Sequence, residues 1–82
     1  MFEDSNAEMF YLRGTVLLMQ EDFLGALNDY SRAIQLDSNH VKALINRGSA
    51  FESIGKLNEA IDDFSNAIKI DSLNHFAYFR TL

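Results

Sequence analysis

The chain of 82 residues contains no cysteine, no proline and no tryptophan, and it has only four glycines. Without cysteine, it can form neither a disulfide nor a thiolate metal site. Without proline and with so little glycine, long stretches contain nothing that would interrupt a helix. Hydrophobic residues make up 48% of the chain and charged residues 23%, which is an ordinary globular composition. We therefore expect one small helical domain.

Positive charge is also scarce, because seven Lys and Arg stand against twelve Asp and Glu and give a net charge of −5. A protein that binds nucleic acid through its phosphates needs a basic stripe, so we expect no nucleic-acid partner. The longest uncharged apolar runs, such as residues 16–19, are far shorter than the ~20 residues that cross a bilayer. The acidic N-terminus lacks the pattern of a signal or transit peptide. These features predict a soluble, cytoplasmic protein without a membrane partner.

The main feature of the sequence is an internal repeat, in which residues 41–74 restate residues 7–40 without a gap. A fixed repeat period indicates an architecture built from stacked units. The matching pairs, each separated by 34 positions, are Arg13-Gly14 with Arg47-Gly48, Leu17 with Phe51, Ala26 with Ala60, Tyr30 with Phe64, Ala33 with Ala67, Ile34 with Ile68, and Asp37-Ser38 with Asp71-Ser72.

Apolar residues at spacings of three and four predict helices over residues 7–20, 23–36, 41–54 and 57–70. Polar and glycine-containing turns separate them at 21–22, 37–40, 55–56 and 71–74. A fifth helix is predicted to begin at His75. We therefore divide the chain into a lead-in (1–6), a first repeat (7–40), a second repeat (41–74) and the truncated first helix of a third (75–82). The predicted fold is all-α, with about five helices.

The order of large, small and aromatic residues within each copy resembles the tetratricopeptide repeat. The residues that carry the resemblance are Phe10, Gly14, Leu17, Ala26, Tyr30 and Ala33, and then Leu44, Gly48, Phe51, Ala60, Phe64 and Ala67. The resemblance implies antiparallel helical hairpins stacked into a right-handed α-solenoid, with glycine, alanine and the aromatic residues packing the repeats. Two features depart from the family pattern. Ser38 and Ser72 replace the usual proline near the end of each second helix, and a polar capping helix is missing.

The resemblance further implies that the first helix of each hairpin lines a concave groove. The predicted groove residues are Tyr11, Leu12, Thr15, Lys42, Ile45, Asn46, Ser49, Phe76, Phe79 and Arg80. Their identities differ between the copies, whereas the packing positions repeat, so specificity is expected to reside here. The predicted function is non-catalytic binding of a peptide or partner protein. The alternative is a structural segment of a longer helical array, or a module that self-associates through the uncapped last helix.

A narrower alternative concerns family members that bind the C-terminal carboxylate of chaperone peptides with two lysines, two asparagines and an arginine. Asn46 and Arg80 match two of these five positions, while Tyr11, Thr15 and Phe76 occupy the other three. Lys42, one turn before Asn46, could supply a substitute charge. Because a carboxylate requires several convergent donors, we regard this clamp as the less favoured possibility.

The remaining polar residues are interpreted as structural or solvated. His40 and His75 lie beside turns, the adjacent pairs Glu21-Asp22 and Asp62-Asp63 are expected to be solvated charge, and the repeated Arg13 and Arg47 are expected to form ion pairs. No nucleophile–base arrangement, phosphate-binding loop or metal-ligand spacing is present in the sequence. We therefore expect no enzyme activity, no metal and no cofactor.

Overall fold

A computed structural model describes the backbone of residues 6–81 and the side chains of residues 6–72. The described part contains four helices and no strand: α1 (Ala7–Met19), α2 (Phe23–Leu36), α3 (Val41–Ser53) and α4 (Leu57–Thr81). Helices α1 and α2 pack as one hairpin, α3 and α4 as a second, and α2 packs against α3 to join them. The predicted all-α class is confirmed.

The number of helices is a correction, because α4 continues through residues 71–74, where the sequence predicts a turn. In the first copy, the corresponding turn is held by side chains: Asp37 accepts from the Asn39 N–H at 3.1 Å, and Nδ1 of His40 accepts from the Ala43 N–H at 3.2 Å. In the second copy, Leu73 and Asn74 replace Asn39 and His40. Leucine at position 73 favours helix, whereas Asn39 at the equivalent position competes for local backbone hydrogen bonds, so α4 passes through this position.

The two hairpin turns share one backbone geometry. Glu21 and Gly55 stand at equivalent positions and are both left-handed, with φ of 64° and 83°. After each of them, a backbone N–H reaches back to the last turn of the helix, from Asp22 to the Leu17 carbonyl and from Lys56 to the Phe51 carbonyl, both at 2.9 Å. This pattern terminates a helix and reverses the chain.

Small residues allow the helices of each hairpin to approach closely. A Cβ atom at Gly48 would lie 2.7 Å from Cε1 of Phe64, and one at Gly14 would lie 3.0 Å from the Tyr30 ring. The structure places seven of the eight predicted packing residues in the buried interior and Phe64 in a half-buried position; the buried ones are Gly14, Ala26, Tyr30, Ala33, Gly48, Ala60 and Ala67.

Candidate protein-binding groove

The predicted groove residues with described side chains lie on α1 and α3, the first helices of the two hairpins. Leu12, Lys42 and Ile45 are exposed. The half-buried members are Tyr11, Thr15, Asn46 and Ser49. Phe76, Phe79 and Arg80 fall in the last turns of α4, and their side chains lie outside the described residues. The structure therefore brings α1 and α3 residues together and leaves the contribution of residues 76–80 as a prediction.

A hydrogen-bonded network lies at the junction of the two helices. Nδ2 of Asn46 donates to the hydroxyl of Tyr30 at 3.2 Å, and that hydroxyl lies 3.0 Å from Oγ1 of Thr15. Thr15 itself donates to the Tyr11 carbonyl at 2.9 Å, so the Tyr30 hydroxyl donates to Thr15. Both Thr15 and Asn46 are thus held in fixed orientations by the core residue Tyr30.

His40 ties the start of α3 to α1. Its Nδ1 accepts the Ala43 N–H, so the ring proton is on Nε2, which lies 3.1 Å from Oε1 of Glu8. The ring of Tyr11 lies beside the imidazole, with 4.9 Å between centroids. His40 is therefore the helix-start residue that the sequence predicts, and its partner Glu8 is an addition from the structure. Among the described residues, no group of His, Asp and Glu is arranged to hold a metal ion.

Two ion pairs, one in each repeat, join the first helix of a hairpin to the second. The Arg13 guanidinium donates to Asp29 at 2.8 and 2.9 Å, and Arg47 donates to Asp63 at 2.8 Å through two nitrogens. The pairing predicted for both arginines is present. The hydrogen bond and the charge of Asp29 raise the pKa of Arg13 above its ordinary value.

The interpretation of Asp63 as a solvated charge is wrong, because it is only 3% exposed. Its partner Arg47 also donates to Oγ of Ser31 at 3.2 Å and so reaches the preceding repeat. The sequence contains a signal for these pairs: each aspartate follows its arginine by 16 positions, and the aspartates repeat with the arginines.

Among the side chains of residues 6–72, an apolar face lies open between α3 and α4. A cavity of about 330 Å³ opens there, lined by Val41, Ile45, Phe64, Ala67, Ile68 and Asp71. We call its five apolar members the α3–α4 face. The side chain of Ile68 is 68% exposed and that of Ile45 is 42% exposed. Of the residues on this face, Ile45 was predicted for the groove, and Phe64 and Ala67 were predicted to pack the repeats.

Two helical hairpins joined by the packing of α2 on α3, with the same side-chain pattern in each, define an α-helical repeat protein of the solenoid class. A family model described as "Tetratricopeptide repeat" matches residues 41–72. The chain belongs to the tetratricopeptide repeat family, and the resemblance seen in the sequence is confirmed. Proteins of this family are in general non-catalytic scaffolds that bind other proteins.

Similar proteins include other tetratricopeptide repeat proteins. The chain is 36% identical over 76 residues to small glutamine-rich tetratricopeptide repeat-containing protein 2 of Mycosarcoma maydis, covering 93% of this chain and 22% of that protein. It is 34% identical over 70 residues to the DnaJ homolog subfamily C member 7 homolog of Schizosaccharomyces pombe, covering 85% and 15%. The chain thus spans less than a quarter of the length of either relative.

A crystal structure of MamA superposes with a TM-score of 0.81 and 26% identity, over 83% of this chain and 40% of that one. The agreement extends the family assignment to the three-dimensional arrangement of the helices. Within residues 6–81, no helix combines the length and the apolarity that a membrane crossing requires.

Proposed function

We propose that the chain is a non-catalytic interaction module that binds a peptide or a segment of a partner protein along the groove between α1 and α3. The observation that carries the proposal is an exposed apolar side chain on each helix, Leu12 at 53% and Ile45 at 42% exposure, beside the Thr15–Asn46 network. Apolar anchors beside a few fixed polar groups suit an extended or helical peptide.

The mechanism rests on pre-positioned side chains. Tyr30 is fully buried and holds Thr15 and Asn46 by hydrogen bonds, so these polar groups lose little freedom when a ligand binds. Such preorganisation lowers the entropic cost of association. The exposed Lys42 and Glu8 supply one charge of each sign at the same end of the groove, which favours ligands of mixed charge over strongly basic or acidic ones.

The test is a peptide-library screen with the whole chain, followed by titration of the best peptide against two variants. We expect Leu12→Ala to weaken binding about tenfold, which corresponds to about 1.4 kcal/mol of lost apolar burial. The matched control is Leu24→Ala, since Leu24 is an exposed leucine on α2, outside the groove. Equal effects of the two substitutions, with both variants folded, would remove the groove from consideration.

The chaperone-tail carboxylate clamp is a less favoured form of this proposal. Two of its five positions match in sequence, and Nδ2 of Asn46, the donor a carboxylate needs, already donates to Tyr30. The test compares one peptide with a free C-terminal carboxylate and with an amidated one. A clamp requires the free acid to bind at least tenfold more tightly, and requires Lys42→Ala to abolish that difference.

A second candidate function is structural, as a segment of a longer helical array or as a self-associating module. The observation that favours it is the uncovered α3–α4 face. The cytoplasmic location and the lack of a nucleic-acid partner stay predictions from charge and composition.

A further inference from the structure

The α3–α4 face has a covered counterpart within the same molecule. Moving back by one repeat, its residues Val41, Ile45, Phe64, Ala67 and Ile68 correspond to Ala7, Tyr11, Tyr30, Ala33 and Ile34. All five counterparts belong to one hydrophobic cluster, and that cluster also contains Ala43 of α3. In the first repeat, therefore, this surface is covered by the helix that follows it.

Residues that α3 covers in the first repeat are less exposed than the equivalent residues of the second repeat. Tyr30 is fully buried, whereas Phe64 is half-buried, and Ile34 is half-buried, whereas Ile68 is 68% exposed. Ile34 and Ile68 are identical, and Tyr30 and Phe64 have the same ring, so at these two pairs the difference in exposure comes from the covering helix. The α3–α4 face is thus built to receive a helix that presents a small residue where α3 presents Ala43.

The sequence contains such a helix. Residues 75–81 stand one repeat after residues 41–47, and Ala77 falls at the register position of Ala43. The structure has this segment as the last part of α4, continuous with residues 57–74. A continuous helix cannot reverse its direction, so this segment cannot cover the face of its own chain while α4 is unbroken.

We propose that two copies of the chain exchange these segments, so that residues 75–81 of each copy cover the α3–α4 face of the other. The exchange is reciprocal and closes a two-fold dimer, the usual symmetry when identical elements are swapped. In this dimer, residues 75–81 of one copy pack on α4 of the other copy in the way that α3 packs on α2 within one chain. The exchange and the groove share Ile45, so the substitutions that test the exchange are placed at residues of α4 outside the groove.

Cysteine cross-linking tests the exchange directly, since the chain has no native cysteine. One chain carries Ala67→Cys and another carries Ala77→Cys, at the positions equivalent to Ala33 and Ala43. After mixing and mild oxidation, we expect a disulfide-linked heterodimer in large excess over the products of either chain alone. In a chain with both substitutions, oxidation at low concentration to a cross-linked monomer would overturn the proposal, because the segment would then cover its own chain.

Solution mass gives the second test, measured by light scattering after size exclusion over a wide concentration range. We expect a dimer at high concentration, and we expect Ile68→Glu to raise its dissociation constant at least tenfold. The matched control is Ile61→Glu, because Ile61 is an exposed isoleucine on α4 that does not line the cavity. A monomer at all concentrations, or equal effects of the two substitutions, would overturn the proposal.

The continuity of α4 supplies a third variant. Ser72→Pro introduces a residue that a helix interior does not accept, so α4 should end near residue 71 and release the segment to cover its own face. We expect this variant to be monomeric and folded, while Ser72→Ala stays dimeric. A dimer of unchanged affinity in Ser72→Pro would contradict the exchange. If the Ser72→Pro variant is monomeric and still binds the peptide, then the exchange and the groove are independent of each other.

Discussion

The amide nitrogen of Asn46 lies 3.2 Å from the hydroxyl oxygen of Tyr30, and this hydrogen bond joins the second repeat to the core of the first. The same hydroxyl lies 3.0 Å from Oγ1 of Thr15, so one oxygen connects α1, α2 and α3. The equivalent residue of the second repeat is Phe64, which lacks the hydroxyl. The chain thus contains its own comparison between a linked and an unlinked repeat.

Replacement of Tyr30 by phenylalanine should destabilise the protein by about 1 kcal/mol, because Asn46 and Thr15 lose their shared partner in a half-buried position. The measurement is urea unfolding followed by circular dichroism. The matched control is the reverse change, Phe64→Tyr, measured at a concentration at which the chain is monomeric, where it should have little effect because its hydroxyl would face the open cavity. A Tyr30→Phe midpoint equal to that of the parent would show that the network contributes nothing to stability.

Removal of Arg47 should cost about 3 kcal/mol or more, because it leaves the Asp63 carboxylate buried without a partner. The side chain of Asp63 is 4% exposed and that of Arg47 is 22% exposed. Arg13→Ala should cost less, since the Arg13 side chain is 63% exposed and water can reach Asp29 when it is removed. Thermal unfolding of both variants gives the comparison, and the order of the two midpoints decides it. The double change Arg47→Met with Asp63→Leu should recover much of the loss.

Gly48→Ala should destabilise the protein by about 1–3 kcal/mol, because the new methyl group would lie 2.7 Å from a ring carbon of Phe64 and force the helices apart. Gly14→Ala is the matched control, with a closest approach of 3.0 Å to Tyr30, and it should cost less. Denaturant unfolding of the pair measures the difference. A net gain in stability from Gly48→Ala would show that the better helix propensity of alanine outweighs the contact.

Glu21→Gly should stabilise the protein by about 0.5–1 kcal/mol, because Glu21 holds a left-handed backbone conformation that glycine adopts without a steric penalty. The opposite change at the equivalent turn, Gly55→Ala, should destabilise it by a similar amount, although the added methyl group would meet no atom of a residue other than its chain neighbours. Melting temperatures of the two variants should therefore move in opposite directions. A shift of the same sign in both would refute the backbone explanation.

The sequence predicted the helices and turns that have local sequence signals. It did not predict features that depend on contacts between residues far apart in the chain. Spacing and repetition located all four helices, with the first ending one residue before the predicted Gln20. The register was sufficient to place Gly14 and Gly48 at the close contacts. The continuity of α4 was missed because the polar residues Asp71 and Ser72 signal a turn, whereas the residues that follow them decide whether it forms.

The polar interior was the harder part of the site. Asp62 and Asp63 were interpreted as solvated because adjacent helical residues point in different directions and so do not act as an acid–base pair. One of those directions faces Arg47, and Asp63 is buried against it. The bond between Tyr30 and Asn46 joins residues 16 positions apart on different helices, and neither residue carries a local signal for it. Such contacts are specified by the packing of helices, which a single sequence shows only indirectly.

Each helix packs chiefly on its neighbours along the chain, and this determines the order in which the helices fold and unfold. Within one copy of the chain and among the described residues, α2 and α3 each pack on two neighbouring helices, whereas α1 and α4 each pack chiefly on one. Backbone amides of α2 and α3 should therefore be the last to exchange with deuterated solvent. Contacts between residues close in sequence also favour rapid folding, within milliseconds or less. Within a single copy, α2 and α3 should thus form first and open last, with α1 and α4 opening before them.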